Sequence, residues 1–337
     1  MRNIYDLTIK ELEDYFISIN EKKFRAVQVY EALYKRRIKS FDDMTNISKE
    51  VREKLKQDFS FYKIKMLIKQ QGKNVNKYLF ELEDGNKIES VLMFHDYGTS
   101  ICVSSQVGCN MTCAFCESGR LKKVRNLLAY EIVQQILQIE EDINKRITHV
   151  VLMGIGEPFD NYDNVLRFVK IINCGKGIDI GSRHITISTC GVIPGIKKFM
   201  NEEGQVNLAI SLHAPNNTIR SRIMPINKAY PLNELMETIK EYINKTNRRV
   251  TFEYIMLDNV NDSEENAKEL ALLLKGINCY VNLIPYNETE NIKFKRTKEW
   301  KIMKFYDILK KNKINVTIRK EFGGSVDAAC GQLRANN

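Results

Sequence analysis

No run in this 337-residue chain approaches eighteen consecutive apolar residues, so no segment reads as a membrane-spanning helix. The opening Met1-Arg2-Asn3-Ile4-Tyr5-Asp6 lacks the apolar stretch of a secretory signal. The expectation is a cytoplasmic monomer with no membrane association. Proline and glycine are scarce, at 6 and 17 residues, which argues against a disordered or linker-rich architecture. No dinucleotide fingerprint is present. Only one Cys-x2-Cys unit is found in the cysteine-rich stretch, with no second pair after it, and this weakens a structural zinc site.

What is present narrows the class further. Apolar residues make up 43% of the chain, enough for one large domain and a small one. The net charge of +10 fits a polyanionic partner, usually nucleic acid; a composition rich in Lys, Asn and Ile accounts for it equally well. Eight cysteines in an intracellular chain point to metal or redox chemistry rather than a disulfide framework.

Residues 1–70 read as a helical N-terminal module, RNA-facing or a plain cap, with helix-period positions Val27, Tyr30, Leu33 and Tyr34. Residues 71–100 read as a β-hairpin around the turn Asp84-Gly85-Asn86. Alternation puts Glu89 on the same face as Val91 and Met93, which calls for either a functional carboxylate or an edge open to water.

From 101 to 320, strands expected at 101–105, 149–153, 184–188, 206–211, 250–256, 280–284 and 315–319 alternate with helices at 129–144, 164–173, 194–203, 232–245, 263–275 and 297–313. That alternation predicts an α/β fold, a full or partial (β/α) barrel with its site at the C-terminal strand ends. Residues 321–337 read as a flexible tail carrying Cys330, a reactive thiol or an ordinary free cysteine.

The most informative stretch is Gly108-Cys109-Asn110-Met111-Thr112-Cys113-Ala114-Phe115-Cys116, a C-x3-C-x2-C loop after the first barrel strand. Three thiols leave an odd one out of any disulfide set. Three ligands on a four-iron cluster leave one iron open, so an iron–sulfur cluster is preferred to zinc. Several strand ends are polar or Gly-rich: Gly154-Ile155-Gly156-Glu157-Pro158, Ser188-Thr189-Cys190-Gly191, Ser211-Leu212-His213 and Pro285-Tyr286-Asn287. Together they predict a ligand site at the barrel mouth. Cys102 reads as a core strand residue, and Cys174, Cys190 and Cys279 read as structural.

With Phe115 before the third cysteine, the loop resembles the radical SAM signature, and Gly156-Glu157-Pro158 resembles that superfamily's motif for the amino group of S-adenosylmethionine. Within it the chain resembles the RlmN/Cfr family of RNA adenine methyltransferases. The resemblance rests on Lys23-Phe24-Arg25-Ala26, the stretch Val103 to Cys109, Met153 to Pro158, Leu208 to Pro215, Met224-Pro225-Ile226-Asn227, Val281 to Pro285 and Asp327 to Leu333.

The resemblance implies that Cys109, Cys113 and Cys116 ligate a [4Fe–4S] cluster whose open iron chelates S-adenosylmethionine. Gly156, Glu157, Ser188, Ser211, Leu212, His213 and Asn287 would line the rest of that cofactor's site. Two S-adenosylmethionine molecules would serve each turnover. One methylates Cys330; the second is cleaved reductively to a radical that takes a hydrogen from the S-methyl group, and the resulting carbon radical adds to adenine. Glu89 would remove the ring proton, and Cys102 would resolve the adduct by a disulfide with Cys330. A radical is needed because C2 and C8 of adenine are not nucleophilic.

The implied partners are 23S rRNA, tRNA and an electron donor such as flavodoxin or ferredoxin. Pro158 and Asn161-Tyr162-Asp163-Asn164-Val165 resemble the C2-methylating RlmN type. Glu117-Ser118-Gly119 departs from it, and Gly119 is similar to the C8-methylating Cfr type. A reading of another class, an iron–sulfur RNA-binding regulator without turnover, has no use for Glu89, Cys102 and Cys330 together.

Overall fold

Strands whose side chains are buried on both faces need helices to cover them, and a parallel pair needs a crossover long enough to supply one. The chain meets that need repeatedly after residue 98. In the computed structural model, which describes residues 1–202, 204–319 and 331–333, Gly98–Cys102, His149–Leu152, Ile185–Thr189, Asn207–Ser211, Val250–Met256, Cys279–Pro285 and Val316–Ile318 lie side by side in chain order, all parallel. Three antiparallel strands, Lys65–Gly72, Val75–Glu81 and Lys87–His95, extend the sheet to ten strands beyond Gly98–Cys102. Among the described residues the two edge strands do not pair, so the sheet is a partial barrel, as expected.

The crossover helices include Ala129–Ile143, Tyr162–Asn173, Ile193–Phe199, Leu232–Thr246, Glu264–Leu273 and Glu299–Lys311. Each expected helix from residue 129 onward is matched by one of these. Two elements carried too little signal to be expected. The edge strand Lys65–Gly72 is half-exposed along its length, so its sequence shows no apolar alternation. The Asn217–Ile223 helix is seven residues long and polar, capped by the Asn216 side chain accepting from the Ile219 N–H. The first barrel strand also begins earlier than its apolar run. Regular pairing covers Gly98–Cys102, and the expected 101–105 segment continues through Val103 N–H to the Val151 carbonyl and Ser105 N–H to the Ile155 carbonyl.

Three N-terminal helices, Ile9–Ser18, Arg25–Tyr34 and Lys49–Asp58, share one continuous apolar core with the barrel. Tyr5, Tyr30 and Tyr34 are fully buried there, and a Cβ at Gly177 would press on the rings of Tyr30 and Tyr34. Among the described residues no helix is long and apolar enough to cross a membrane.

Candidate active site

The cysteine loop is held open by backbone rather than by its own side chains. Gly108 and Thr112 take positive φ, and a Cβ at Gly108 would strike the Lys122 carbonyl. Cys109 N–H donates to the Leu121 carbonyl, Ala114 N–H to the Ile223 carbonyl and Cys116 N–H to the Cys113 carbonyl. A Cβ at Gly119 would come within 2.9 Å of the Cys113 backbone N and O, so close packing accounts for a glycine there.

Cys109, Cys113 and Cys116 line one cavity with Gly156, Glu157, Ser188, Ser211 and His213, the residues delivered by three successive parallel strand ends. A Cβ at Gly156, whose φ is +112°, would meet the Gln106 side chain at 2.7 Å, so only glycine lets the two segments close together. Gln106 Oε1 accepts from the Glu157 N–H at 2.9 Å.

The charges of this cavity are set by burial. Burial pushes the Cys109 thiol up to about 11 and lifts Cys113 well above its ordinary value, with repulsion from neighbouring thiols adding to both. They become thiolates only with a cation to hold them. Among the described residues no three Cys, His, Asp or Glu side chains converge closely enough for one metal ion. Three soft thiol donors on one cavity wall, with no histidine or second cysteine pair of a zinc site among the three, suit an iron–sulfur cluster, which bonds each thiolate to a different iron.

Burial also raises the Glu157 carboxyl, although Oε1 accepts from the Phe159 N–H at 3.0 Å and Oε2 from the Cys190 N–H at 2.8 Å. His213, with φ +58°, accepts the Ile255 N–H on Nδ1 at 3.0 Å. Burial, then Arg220, pushes its imidazole down to about 3, so the ring is neutral and offers Nε2–H.

The other residues singled out in the sequence lie around this cavity or apart from it. The Leu212 side chain is in the core, and its carbonyl accepts from Arg220 Nε at 3.2 Å. Asn287 is half-buried two residues past the Cys279–Pro285 strand. Cys102, on the strand beside that of Glu89, faces Val91 across the strand pair and belongs to a small apolar cluster with Met93, Ile155 and Leu333. Glu89 is on a strand paired on both sides, not a wet edge, and its Oε1 lies 3.2 Å from Lys77 Nζ; both side chains are largely buried. The apolar face therefore holds an ion pair rather than a lone carboxylate.

Cys330 lies outside the described residues. The segment after it, Gly331 to Leu333, is not exposed as the tail reading expected: Gln332 and Leu333 are buried. Thr189 and Cys190, from the strand end expected at the site, also line the cavity, although Cys190 read as structural; sequence reasoning missed Glu253 and Arg319, which line it too. Glu253 had a signal, a carboxylate within the otherwise apolar strand Val250–Met256. Its Oε1 accepts from Asn282 Nδ2 at 2.9 Å, while Oε2 has no hydrogen bond and lies 3.9 Å from Arg319 Nη1.

Comparison with known proteins agrees with this geometry. Residues 2–60 match the model of the ribosomal RNA large subunit methyltransferase N-terminal domain, and residues 103–271 match that of the radical SAM superfamily. A probable dual-specificity RNA methyltransferase RlmN of Spiroplasma citri is 54% identical over 341 residues, covering 100% of this chain and 98% of that one. Its counterpart in Geobacillus kaustophilus is 52% identical, covering 99% and 92%. The crystal structure of a radical SAM methyltransferase from Sphaerobacter thermophilus superposes over 100% of both chains with a TM-score of 0.94 and 40% identity. At 16% identity, Streptococcus suis SuiB bound to S-adenosylmethionine shares the fold alone, with a TM-score of 0.51 over 67% of this chain and 51% of that one. The chain belongs to the RlmN family of radical SAM RNA methyltransferases.

Proposed function

We propose that the protein methylates C2 of an adenosine in 23S rRNA, and C2 of an adenosine in tRNA, by way of a methylated Cys330. The observation that carries this reading is the seating of the segment that follows Cys330. Gly331 lines the cysteine cavity, and its carbonyl accepts the Glu117 N–H at 2.8 Å. Leu333 is buried in the small apolar cluster that contains Cys102. The peptide after Cys330 is thus anchored between the cluster loop and the thiol proposed to resolve the adduct. The name dual-specificity RNA methyltransferase, borne by relatives, supports two RNA substrates.

When bound, the [4Fe–4S] cluster and S-adenosylmethionine, two per turnover, supply the methyl group and a carbon radical. The chain's own residues do the rest. Cys109, Cys113 and Cys116 hold the cluster, and Gly156, Glu157, Ser188, Ser211, Leu212, His213 and Asn287 surround the cofactor. Cys330 accepts the methyl group as a thiolate and passes its carbon to the base. Glu89, oriented by Lys77, takes the ring proton. Cys102 frees the product by forming a disulfide with Cys330. The target base leaves its stack to enter, and the N-terminal module, whose helices end at Asp58 rather than running to residue 70, grips the RNA by phosphates and shape, beside the antiparallel strands from Lys65 to His95 and the barrel that begins at Gly98. A flavodoxin or ferredoxin supplies electrons to this cytoplasmic monomer.

The test is anaerobic reaction of the reconstituted protein with rRNA and S-adenosylmethionine, followed by mass spectrometry of the nucleosides against 2-methyl- and 8-methyladenosine standards. The expected product is 2-methyladenosine, lost in Cys330→Ala while the cluster absorbance persists. 8-Methyladenosine would move the assignment to C8. Equal product from wild type and Cys330→Ala would sink the mechanism.

A further inference from the structure

Arg220, in the Asn217–Ile223 helix, is 0% exposed, and among the described residues no carboxylate comes within ion-pair distance of it. Buried guanidinium groups are ordinarily paired, because a full charge in a low-dielectric interior is costly. Here every hydrogen-bond acceptor is neutral. Nε donates to the Leu212 carbonyl at 3.2 Å, Nη1 to Asn227 Oδ1 at 2.9 Å, and Nη2 to the Cys190 and Ser211 carbonyls at 2.6 and 3.3 Å. These dipoles take four of the five N–H groups and leave the net charge unmatched. Glu157, a buried carboxylate of the same cavity, spends its oxygens on the Phe159 and Cys190 N–H groups.

The missing anion lies on the cysteine side. The helix of Arg220 backs the cluster loop, with the Ile223 carbonyl accepting the N–H of Ala114, next to Cys113, at 2.9 Å. Burial lowers the Arg220 guanidinium below its ordinary value, and the groups that offset this are the Cys190 and Cys113 thiols.

We infer that Arg220 is the counter-charge of the three-cysteine cluster and biases it toward its reduced form. The inference rests on the cluster reading above. The redox step is a single electron passed from a low-potential one-electron donor to the cluster. No bond or proton moves, and the cluster unit gains one negative charge that the guanidinium favours. Arg220 is a positioning residue, since it acts through the cluster and touches no reacting atom.

Three variants of the full-length, anaerobically reconstituted protein separate charge from architecture. Reduced cluster is read by electron paramagnetic resonance at fixed ambient potentials. Arg220→Gln removes the charge, and the reduced-to-oxidised ratio is expected to fall about tenfold, 59 mV for a one-electron couple. Arg220→Lys keeps the charge but disrupts the hydrogen-bond fork, and the ratio should stay within about twofold of wild type. Asn227→Asp keeps Arg220 and places a carboxylate on Nη1, so the ratio should fall as in Arg220→Gln. Equal shifts in the Gln and Lys variants, or no shift in Asn227→Asp, overturn the inference. If Arg220→Gln fails to fold, Arg220→Lys and Asn227→Asp decide. Iron and sulfide analysis of the wild type stands apart from these: absence of a four-iron cluster there overturns the cluster reading itself.

Discussion

The Ser118 hydroxyl donates a 2.7 Å hydrogen bond to the Leu333 carbonyl, tying the turn after the third cluster-loop cysteine to the far end of the chain. Both groups are buried, so the bond is shielded from water and its loss leaves a carbonyl unsatisfied. Ser118→Ala removes this tie and leaves the Glu117–Gly331 backbone bond. At about 1 kcal/mol for such a bond, the ratio of seated to unseated tail falls roughly fivefold. The methylation rate should fall by up to that factor, with iron content unchanged and faster proteolysis near the C-terminus. A rate equal to wild type would show that seating of Leu333 does not limit turnover.

Cys102 faces Val91 and belongs, with Leu333, to a patch otherwise made of Val75, Met93 and Ile155. A small residue is accommodated there, so Cys102→Ala should fold with a loss of about 1 kcal/mol or less. If Cys102 is the resolving thiol, as proposed, the bond between Cys330 and the base persists in this variant. Denaturing gel electrophoresis after one anaerobic turnover should show an RNA-bound protein band. Free product in wild-type yield would remove Cys102 from the mechanism.

Lys77 holds Glu89 in place from the neighbouring strand. Glu89→Gln keeps the shape and removes the proposed base. The expected outcome is S-methylated Cys330 in the digested protein together with loss of methyladenosine, because methylation of the thiol needs no ring proton removed. Lys77→Met leaves a buried carboxylate without this ion-pair partner, a change that costs on the order of 3 kcal/mol. Chemical denaturation should register it, and a melting curve superimposable on wild type would mean the pair is not formed in solution.

The parts of the site that sequence made legible are those whose chemistry sits at one local spacing. The cysteine loop announces itself within eight residues, and Glu157, Ser188, Ser211 and His213 each end an apolar strand, so barrel geometry gathers them. Long-range relationships were silent. Nothing local links Leu333 to Cys102, or Arg220 to the carbonyls of Leu212 and Cys190. Glu253 hid in plain sight, because a single carboxylate in a strand reads equally as a solvent-facing position until both neighbouring strands are known. The Lys65–Gly72 strand hid for the opposite reason: partial exposure of both faces removes the alternation that defines a strand.

The N-terminal module is also held to the barrel by charge, and this bond has a pH signature. Glu11 in the Ile9–Ser18 helix receives Arg167 Nη1 on both carboxylate oxygens at 2.5 Å, while Thr8 N–H and hydroxyl also donate to Oε2. Burial alone would raise its carboxyl, but Arg167, Thr8 and Arg2 outweigh that and hold it at about 2, below its ordinary value of 4.5. A carboxyl depressed in the folded state contributes stability above its unfolded value and loses it as pH falls through the folded one. The contribution should thus be complete above about 4.5 and gone near 2. Glu11→Gln abolishes the charge while a Gln at this position can still close the capping box with Thr8, so the helix start survives. The pair is partly open to solvent, which limits its worth to on the order of 1 kcal/mol. Urea midpoints of wild type and Glu11→Gln should differ at neutral pH and converge as pH is lowered from 4.5 toward 2. A gap that stays constant over that window would show that the ion pair does not secure the module to the barrel.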